Sequence, residues 1–294
     1  MTSTWESYQA RLNRVLVYME SRLDEPLELQ DLAAEACFSP YHFHRIFTGM
    51  VGESIAVHLR RLRLERAAHR LAFTEQTVTD IALAAGYERT EAFIRAFGRL
   101  FGMPPGEYRR AAKAGAGVGK AVRPKKGNPA RAGKGDAMMD VEIRNVEPMR
   151  VAFVRHVGPY EQCGKAWDSL CGWADPRRLL RKETMFIGIG HDDPKVTPPE
   201  KVRYDACVTV GPDVEGEGPV GVKDVGGGEY AVAVHKGPYD GLEEAYAWLC
   251  GVWAPGAGRE IRAEPALEVY LNHPDSTPPE DLLTAIHMPL EPAD

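Results

Sequence analysis

One carboxylate stands out by its setting. Glu268 lies within the apolar run ALEVYL (Ala266–Leu271), where a charge stripped of water costs several kcal/mol unless a partner offsets it. Two readings follow from the residues alone. Strand alternation turns Glu268 to solvent, or it is the counter-ion for something that binds. Phe186, Trp167, Tyr246, Trp248, Tyr230 and Tyr270 are aromatics available around such a cleft. Aromatic faces plus one carboxylate make a site for lipophilic cations. Other chemistry finds less support. His156 and His235 close equivalent strands with no His, Cys or Asp partner at ligand spacing, so they suit packing or turns rather than a metal. GVKDVGGGEY (Gly221–Tyr230) reads as a turn and lacks the strand-to-helix setting of a phosphate cradle. No catalytic residue, metal or cofactor is assigned.

The elements that would position Glu268 come from a duplication. RHVGPYEQCGKAWDSLCGW (Arg155–Trp173) matches VHKGPYDGLEEAYAWLCGVW (Val234–Trp253), and the TPPE segments at 197–200 and 277–280 repeat at the same offset. Each copy reads strand, GPY turn, helix, then two strands. Two such β-α-β-β copies related by a pseudo-twofold would place helices on one face of a curved antiparallel sheet and leave a cleft where the halves meet. The counterpart of Glu268 in the first copy is Gly188, so only one side of the duplicated fold carries the charge.

The first hundred residues carry a different pattern. Leu12, Val15, Leu16, Met19 and Leu23 recur with helical spacing. Leu27–Met50 then divides into two short helices around a tight break, with Ser39 as N-cap and Pro40 in the first turn. In the second of these Phe43, Ile46 and Phe47 face inward and Tyr41, His44, Arg45 and Thr48 outward. The pattern recurs over Thr77–Arg110. Thr77 and Asp80 have capping-box spacing, Gly86 supplies the turn, and Phe93, Phe97 and Leu100 face inward. Thr90, Glu91, Ile94 and Arg95 are left outward, where Ile94 suits thymine methyls and Arg95 a guanine edge or phosphate. A helix over about Ser54–Phe73, about 30 Å long, separates the units by roughly one DNA turn. Its Arg60, Arg61 and Arg63 suit phosphate contact and intrahelical pairing equally.

Composition sets the bounds. The 294 residues exceed what one core usually supports, and 44% hydrophobic with 27% charged is ordinary for a globular chain. No apolar run reaches the roughly 20 residues of a membrane span and no signal peptide opens the chain, so no membrane is expected and the location expected is cytoplasmic. Five cysteines without a CxxC pair argue against a disulfide framework or a zinc site and read as small core hydrophobes. Charge is uneven. Residues 1–113 hold 15 Lys/Arg against 14 Asp/Glu, residues 114–139 hold 6 against 1, and residues 140–294 hold 15 against 27. Phosphate binding needs cations, so any contact with nucleic acid must come from the first part.

The SPYHFHRIF helix, the Gly52–Ser54 GxS, the RRLRLERA connector, the IALAAGY helix and the closing FxRxFxxxFGxxPxxYR (Phe93–Arg109) together resemble the AraC-family DNA-binding domain. Arg89 departs from the cap usual there. The resemblance implies that Tyr41, His44, Arg45 and Thr48, and Thr90, Glu91, Ile94 and Arg95, enter successive major-groove segments of double-stranded promoter DNA. The GPY turns, TPPE segments and ExYL strand resemble the GyrI-like effector-binding domain. That resemblance implies a small, cationic or amphipathic effector held by Glu268, with Tyr270, Trp167, Trp248, Tyr246 and Phe186 as the pocket, and RNA polymerase as a partner of the regulator.

The expected fold is therefore an all-α domain with two helix-turn-helix units over residues 1–112, a flexible basic linker over 113–138 and an α+β domain of two β-α-β-β repeats over 139–292. The expected function is a ligand-responsive transcriptional regulator of the AraC family, not an enzyme. The alternatives are a C-terminal hydrolase of reactive small molecules, with Glu268 as general base, or a protein-inhibitor module.

Overall fold

The computed structural model describes residues 3–114, 139–195 and 197–293. The chain forms two compact units. Among the described residues, one gathers 3–6, 38–46, 139–195 and 197–293, the other 7–37 and 47–114. Most of the expected linker lies outside the described residues, and Lys113 still belongs to a helix.

The helical part runs α1 (Thr4–Ser21), α2 (Leu29–Glu35), α3 (Pro40–Val51), α4 (Ile55–Phe73), α5 (Val78–Ala84), α6 (Thr90–Phe101) and α7 (Pro105–Lys113). Local signals fix the boundaries. Ser54 Oγ caps α4 by accepting from Val57 N–H at 3.4 Å. Thr77 and Asp80 form a reciprocal capping box on α5, satisfying donors a helix start leaves open. Gly86 turns the chain at φ +81°, where a side chain would be strained and where a Cβ would meet the Arg63 guanidinium at 3.2 Å. Arg89 precedes α6 without a side-chain cap. The core beneath α4–α7 is aromatic. Phe97 stacks on Phe101 at 4.4 Å and meets Tyr108 edge-on at 5.4 Å, geometries favoured by the ring quadrupoles. The connector's arginines are largely used inside the protein. Arg61 pairs with Glu53 at 2.7 Å, Arg63 donates to the Leu23 and Glu25 carbonyls, and Arg66 grips Asp24 with both arms.

The other unit is built on an eight-stranded antiparallel sheet: β1 (Val141–Val146), β2 (Met149–Val157), β3 (Phe186–Gly190), β4 (Arg203–Thr209), β5 (Gly221–Val225), β6 (Gly228–Lys236), β7 (Leu267–Tyr270) and β8 (Leu283–Pro289). The order across it is β1-β6-β8-β7-β3-β4-β2-β5. The order is symmetric about the β3–β7 pair, where Gly188 lies opposite Glu268. Helix α8 (Gly164–Ala174) follows β2. Helix α9 (Leu242–Trp248), continued by a π-helical turn Leu249–Trp253 and a short α10 (Ala254–Gly256), follows β6.

Each copy thus has one strand more than the β-α-β-β reading allowed, and that strand is exchanged. β1 pairs with β6 of the second copy and β5 pairs with β2 of the first. GVKDV is accordingly a strand, and only the glycines after it form the turn, with Gly226, Gly227 and Gly228 all at positive φ. Alternation assigns the faces. On β4, Tyr204, Ala206 and Val208 pack with Ala166 and Leu170 of α8, while Cys207 joins Val151, Ile187, Val269 and Ala285 on the other side. The cysteines are free thiols. Cys207 and Cys250 are buried as expected, whereas Cys37 is exposed at φ +52° and is no core residue.

Candidate ligand cleft and recognition surface

β7 is a short central strand paired on both sides, and its alternation sends Leu267 and Val269 to one face and Glu268 and Tyr270 to the other. Glu268 is half-buried on its face of the sheet rather than free in solvent. Tyr246 of α9 donates its hydroxyl to Glu268 Oε1 at 3.0 Å, and Tyr270 donates to Oε2 at 2.9 Å. Tyr204 Oη lies 2.9 Å from Tyr270 Oη. A phenol has one proton, and that of Tyr270 is committed to the carboxylate, so Tyr204 is the donor to Tyr270. A relay Tyr204→Tyr270→Glu268 results. Burial pushes the Glu268 carboxyl above the ordinary range, opposed by the two phenol hydrogen bonds and the charges of Arg45 and His235. Burial likewise pushes Tyr204, Tyr246 and Tyr270 well above the usual phenol value, so they remain donors.

Aromatic rings enclose this carboxylate. Trp167 lies 5.9 Å from Tyr270, 6.5 Å from Tyr204 and 6.0 Å from Phe186, and Tyr239 meets Tyr270 edge-on at 5.5 Å. Gly188 makes the arrangement possible. A Cβ there would stand 2.4 Å from Tyr270 Oη and 2.5 Å from Tyr204 Oη.

The fold thus brings together Glu268, Tyr270, Tyr246, Trp167 and Phe186. Trp248 is not joined to them. It follows Tyr246 by two helical positions, about 200° round the axis, and no ring contact or hydrogen bond ties it to the cluster among the described residues. Tyr230 lies on the opposite face, in the core with Val151 and Val232. Tyr204 and Tyr239 are the members that sequence reasoning missed. Tyr239 belongs to a GPY turn, read as structural, and Tyr204 belongs to a strand of the first copy. Its signal was available: alternation on β4 places it on the face of Ala206, toward α8. His156 and His235 donate to the carbonyls of Pro159 and Pro238 at 2.9 and 3.1 Å, the same turn contact in each copy.

A second carboxylate in the sheet has the opposite environment. Asp205, fully buried on β4, accepts from Arg155 Nε at 2.7 Å, His191 Nε2 at 2.7 Å and Lys223 Nζ at 2.5 Å. Although burial works against its charge, hydrogen bonds from Arg155, His191 and Lys223 hold its pKa far below the usual carboxylate range.

The residues with groove-reading chemistry divide sharply. On α6, Glu91, Ile94 and Arg95 are exposed and Thr90 half-exposed, as the spacing predicts. On α3, Phe43, Ile46 and Phe47 are buried as predicted and Tyr41 is exposed, but the expected outward face of His44 and Arg45 is not free. Segment Phe38–Ile46 belongs to the sheet-containing unit. His44 is buried there, 2.9 Å from Asp193, and His42 Nε2 donates to the Glu264 carbonyl at 2.9 Å. The Arg45 guanidinium lies 4.0 Å from the centre of the Tyr246 ring, whose hydroxyl holds Glu268. Thr48 is half-exposed.

These features define a class of protein: a helical part with two helix-turn-helix units and a duplicated sheet whose centre holds one carboxylate among aromatic side chains. A family model described as a GyrI-like small molecule binding domain matches residues 139–291, more than half of the chain, and a helix-turn-helix domain model matches residues 32–111. The chain belongs to the GyrI-like family and carries a helix-turn-helix domain ahead of that part. YbfP of Bacillus subtilis, an uncharacterized HTH-type transcriptional regulator, is 40% identical over 102 residues, 35% of this chain and 35% of its own. The right origin-binding protein of Escherichia coli K12 is 36% identical over 97 residues, 33% of this chain and 34% of its own. The chain therefore matches about a third of the length of these relatives. A DNA gyrase inhibitor of Shigella boydii is 34% identical over 139 residues, 46% of this chain and 87% of its own.

Proposed function

We propose that this chain is a DNA-binding regulator of transcription, that it is ligand-responsive and that its effector is a cationic, aromatic or amphipathic small molecule whose positive charge is met by Glu268. The single observation that carries this reading is a half-buried carboxylate held by two neutral phenols at 2.9 and 3.0 Å among aromatic side chains. Phenols donate hydrogen bonds without cancelling the charge, so a cation entering the cleft gains both the carboxylate and the ring faces. Each desolvated cation–π contact contributes about 2 kcal/mol.

The same geometry favours a receptor over a hydrolase. A general base must reach the water it deprotonates; here each oxygen already accepts one phenol hydrogen bond, and these two bonds oppose the rise in proton affinity that burial causes. DNA is read by the exposed Glu91, Ile94 and Arg95 of α6 with Thr90, and by Tyr41 and Thr48 of α3, while His44 and Arg45 reach it only when freed from Asp193 and Tyr246. Basic and thymine-methyl contacts of this kind suit the major groove. A regulator of this design works in the cytoplasm, where its effect is delivered to RNA polymerase.

The test is calorimetric titration of the full chain with benzamidinium and with neutral benzamide. Benzamidinium should bind, benzamide should not, and Glu268→Gln should weaken the cation at least about tenfold by removing its counter-ion. Equal affinity for the two probes, or for wild type and Glu268→Gln, refutes the assignment. On the DNA side, Arg95→Ala should cost about 1–3 kcal/mol in duplex binding measured by anisotropy.

A further inference from the structure

We propose that Arg45 is the resident cation of the Glu268 cleft, that the effector is a planar delocalised cation taking the place of its guanidinium, and that this replacement releases the first half of α3 to read DNA. The inference rests on the cleft being the ligand site and adds how that site is regulated.

Three contacts hold the segment Phe38–Ile46 in the sheet-containing unit. Arg45 Cζ lies over the Tyr246 ring, 4.0 Å from its centre, His44 Nδ1 meets Asp193 Oδ2 at 2.9 Å, and His42 Nε2 donates to the Glu264 carbonyl at 2.9 Å. His42 is 1% and His44 5% exposed. Side chains so placed are not available to base edges, whereas Glu91, Ile94 and Arg95 at the corresponding face of α6 are exposed. One copy of a duplicated reading device is thus occupied internally.

What occupies it states what would replace it. A guanidinium is planar, weakly hydrated and stacks on aromatic faces, while an ammonium is a compact, strongly hydrated point charge. Arg45 uses the Tyr246 face, the same residue whose hydroxyl holds Glu268, and Asp193 stands beside His44 to fix the helix. A ligand carrying a planar amidinium or guanidinium on an aromatic body can take the face of Tyr246 and the charge of Glu268 together. It cannot do so while Arg45 is there. Exclusion of this kind is reciprocal: the factor by which ligand raises DNA affinity equals the factor by which DNA raises ligand affinity.

The test uses the full chain throughout. Arg45→Ala empties the place by design and should bind benzamidinium about tenfold more tightly than wild type, since the competing cation is gone. Asp193→Ala leaves every groove-reading side chain intact and loosens the segment. It should bind a mixed-sequence duplex about fivefold more tightly in fluorescence anisotropy, and added benzamidinium, which raises wild-type DNA affinity, should raise it less. A thermal melt of each variant establishes that it is folded. Unchanged or weaker benzamidinium binding by Arg45→Ala overturns the inference, as does unchanged DNA affinity of Asp193→Ala. If Glu268→Gln still abolishes cation binding in either case, the ligand site stands and only Arg45's part in it falls. If benzamidinium binds neither wild type nor Arg45→Ala, the ligand site falls too.

Discussion

In each copy of the sheet repeat a strand carries a carboxylate among apolar neighbours, Asp205 fully buried and Glu268 half-buried, and the two are treated in opposite ways. Asp205, in the first copy, is surrounded by Arg155, His191 and Lys223 within 2.5–2.7 Å. Glu268, in the second, is held by two neutral phenols. The same fold therefore contains a charge bound by the cations that surround it and a charge bound by neutral donors, with Arg45 near it on the Tyr246 ring but making no ion pair with it among the described residues. The copy equivalents show how the difference arises. The place of Asp205 is taken by Ala285 in the second copy, and the place of Glu268 by Gly188 in the first, as the offset of the repeat requires. Asp205 is a device of stability and Glu268 one of binding.

The largest effect that would break this contrast is on Asp205. Asp205→Ala leaves Arg155, Lys223 and the His191 imidazole without their acceptor, and breaking a buried pair typically costs about 3–5 kcal/mol. Arg155 and Lys223 retain partial exposure, with side chains 43% and 27% exposed, so water recovers part of this and about 2–3 kcal/mol is expected in urea denaturation. Benzamidinium affinity should be unchanged. The pH dependence follows. The folded-state pKa of Asp205 lies below its unfolded value of about 3.9, so its contribution is present above that pH and is lost as pH falls through the folded pKa. Wild type should therefore lose more stability than Asp205→Ala between pH 5 and pH 2; parallel curves would show that Asp205 is not the neutralised charge it is taken for.

A smaller effect sharpens the contrast at the symmetric centre. Gly188→Ala places a methyl 2.4 Å from Tyr270 Oη and 2.5 Å from Tyr204 Oη. The phenols must separate, which breaks the relay to Glu268. Overpacking of this kind costs about 1–3 kcal/mol, and cation affinity should fall with it. A Gly188→Ala protein that binds benzamidinium as wild type does would show that the Tyr204–Tyr270 pair is no part of the site.

Much of this was legible in residue order. The capping box at Thr77, the turn at Gly86 and the inward Phe93 and Phe97 follow from local chemistry that no distant contact overrides. The duplication was legible because both copies kept their GPY and TPPE turns, and it led to the Gly188–Glu268 pairing across the centre. What was not legible depends on long-range placement. The exchange of β1 and β5 between copies leaves no local trace, because an edge strand has the same alternation whichever partner it takes. Tyr204 enters the cleft from the other copy. Asp205 satisfies the criterion that singled out Glu268, a lone carboxylate in an apolar strand, and that criterion alone does not separate a charge bound by cations from one bound by neutral donors. His44 and Arg45 have surface chemistry, and their burial is decided by Asp193 and Tyr246, far along the chain.

The smallest effect has the least intuitive sign. The folded-state pKa of Glu268 is raised, chiefly by burial. A raised carboxyl favours folding most below its unfolded pKa of about 4.3, and that advantage is lost as pH rises through the folded value, so at neutral pH the charge opposes folding. Glu268→Gln should therefore be more stable than wild type at pH 8, by about 1 kcal/mol, the scale on which functional sites trade stability for activity. The gain should shrink toward zero at pH 4, where wild type is protonated as well. Denaturation midpoints of the two proteins across that range decide the matter. A variant less stable than wild type at pH 8 would mean that Glu268, like Asp205, is a charge already matched within the fold.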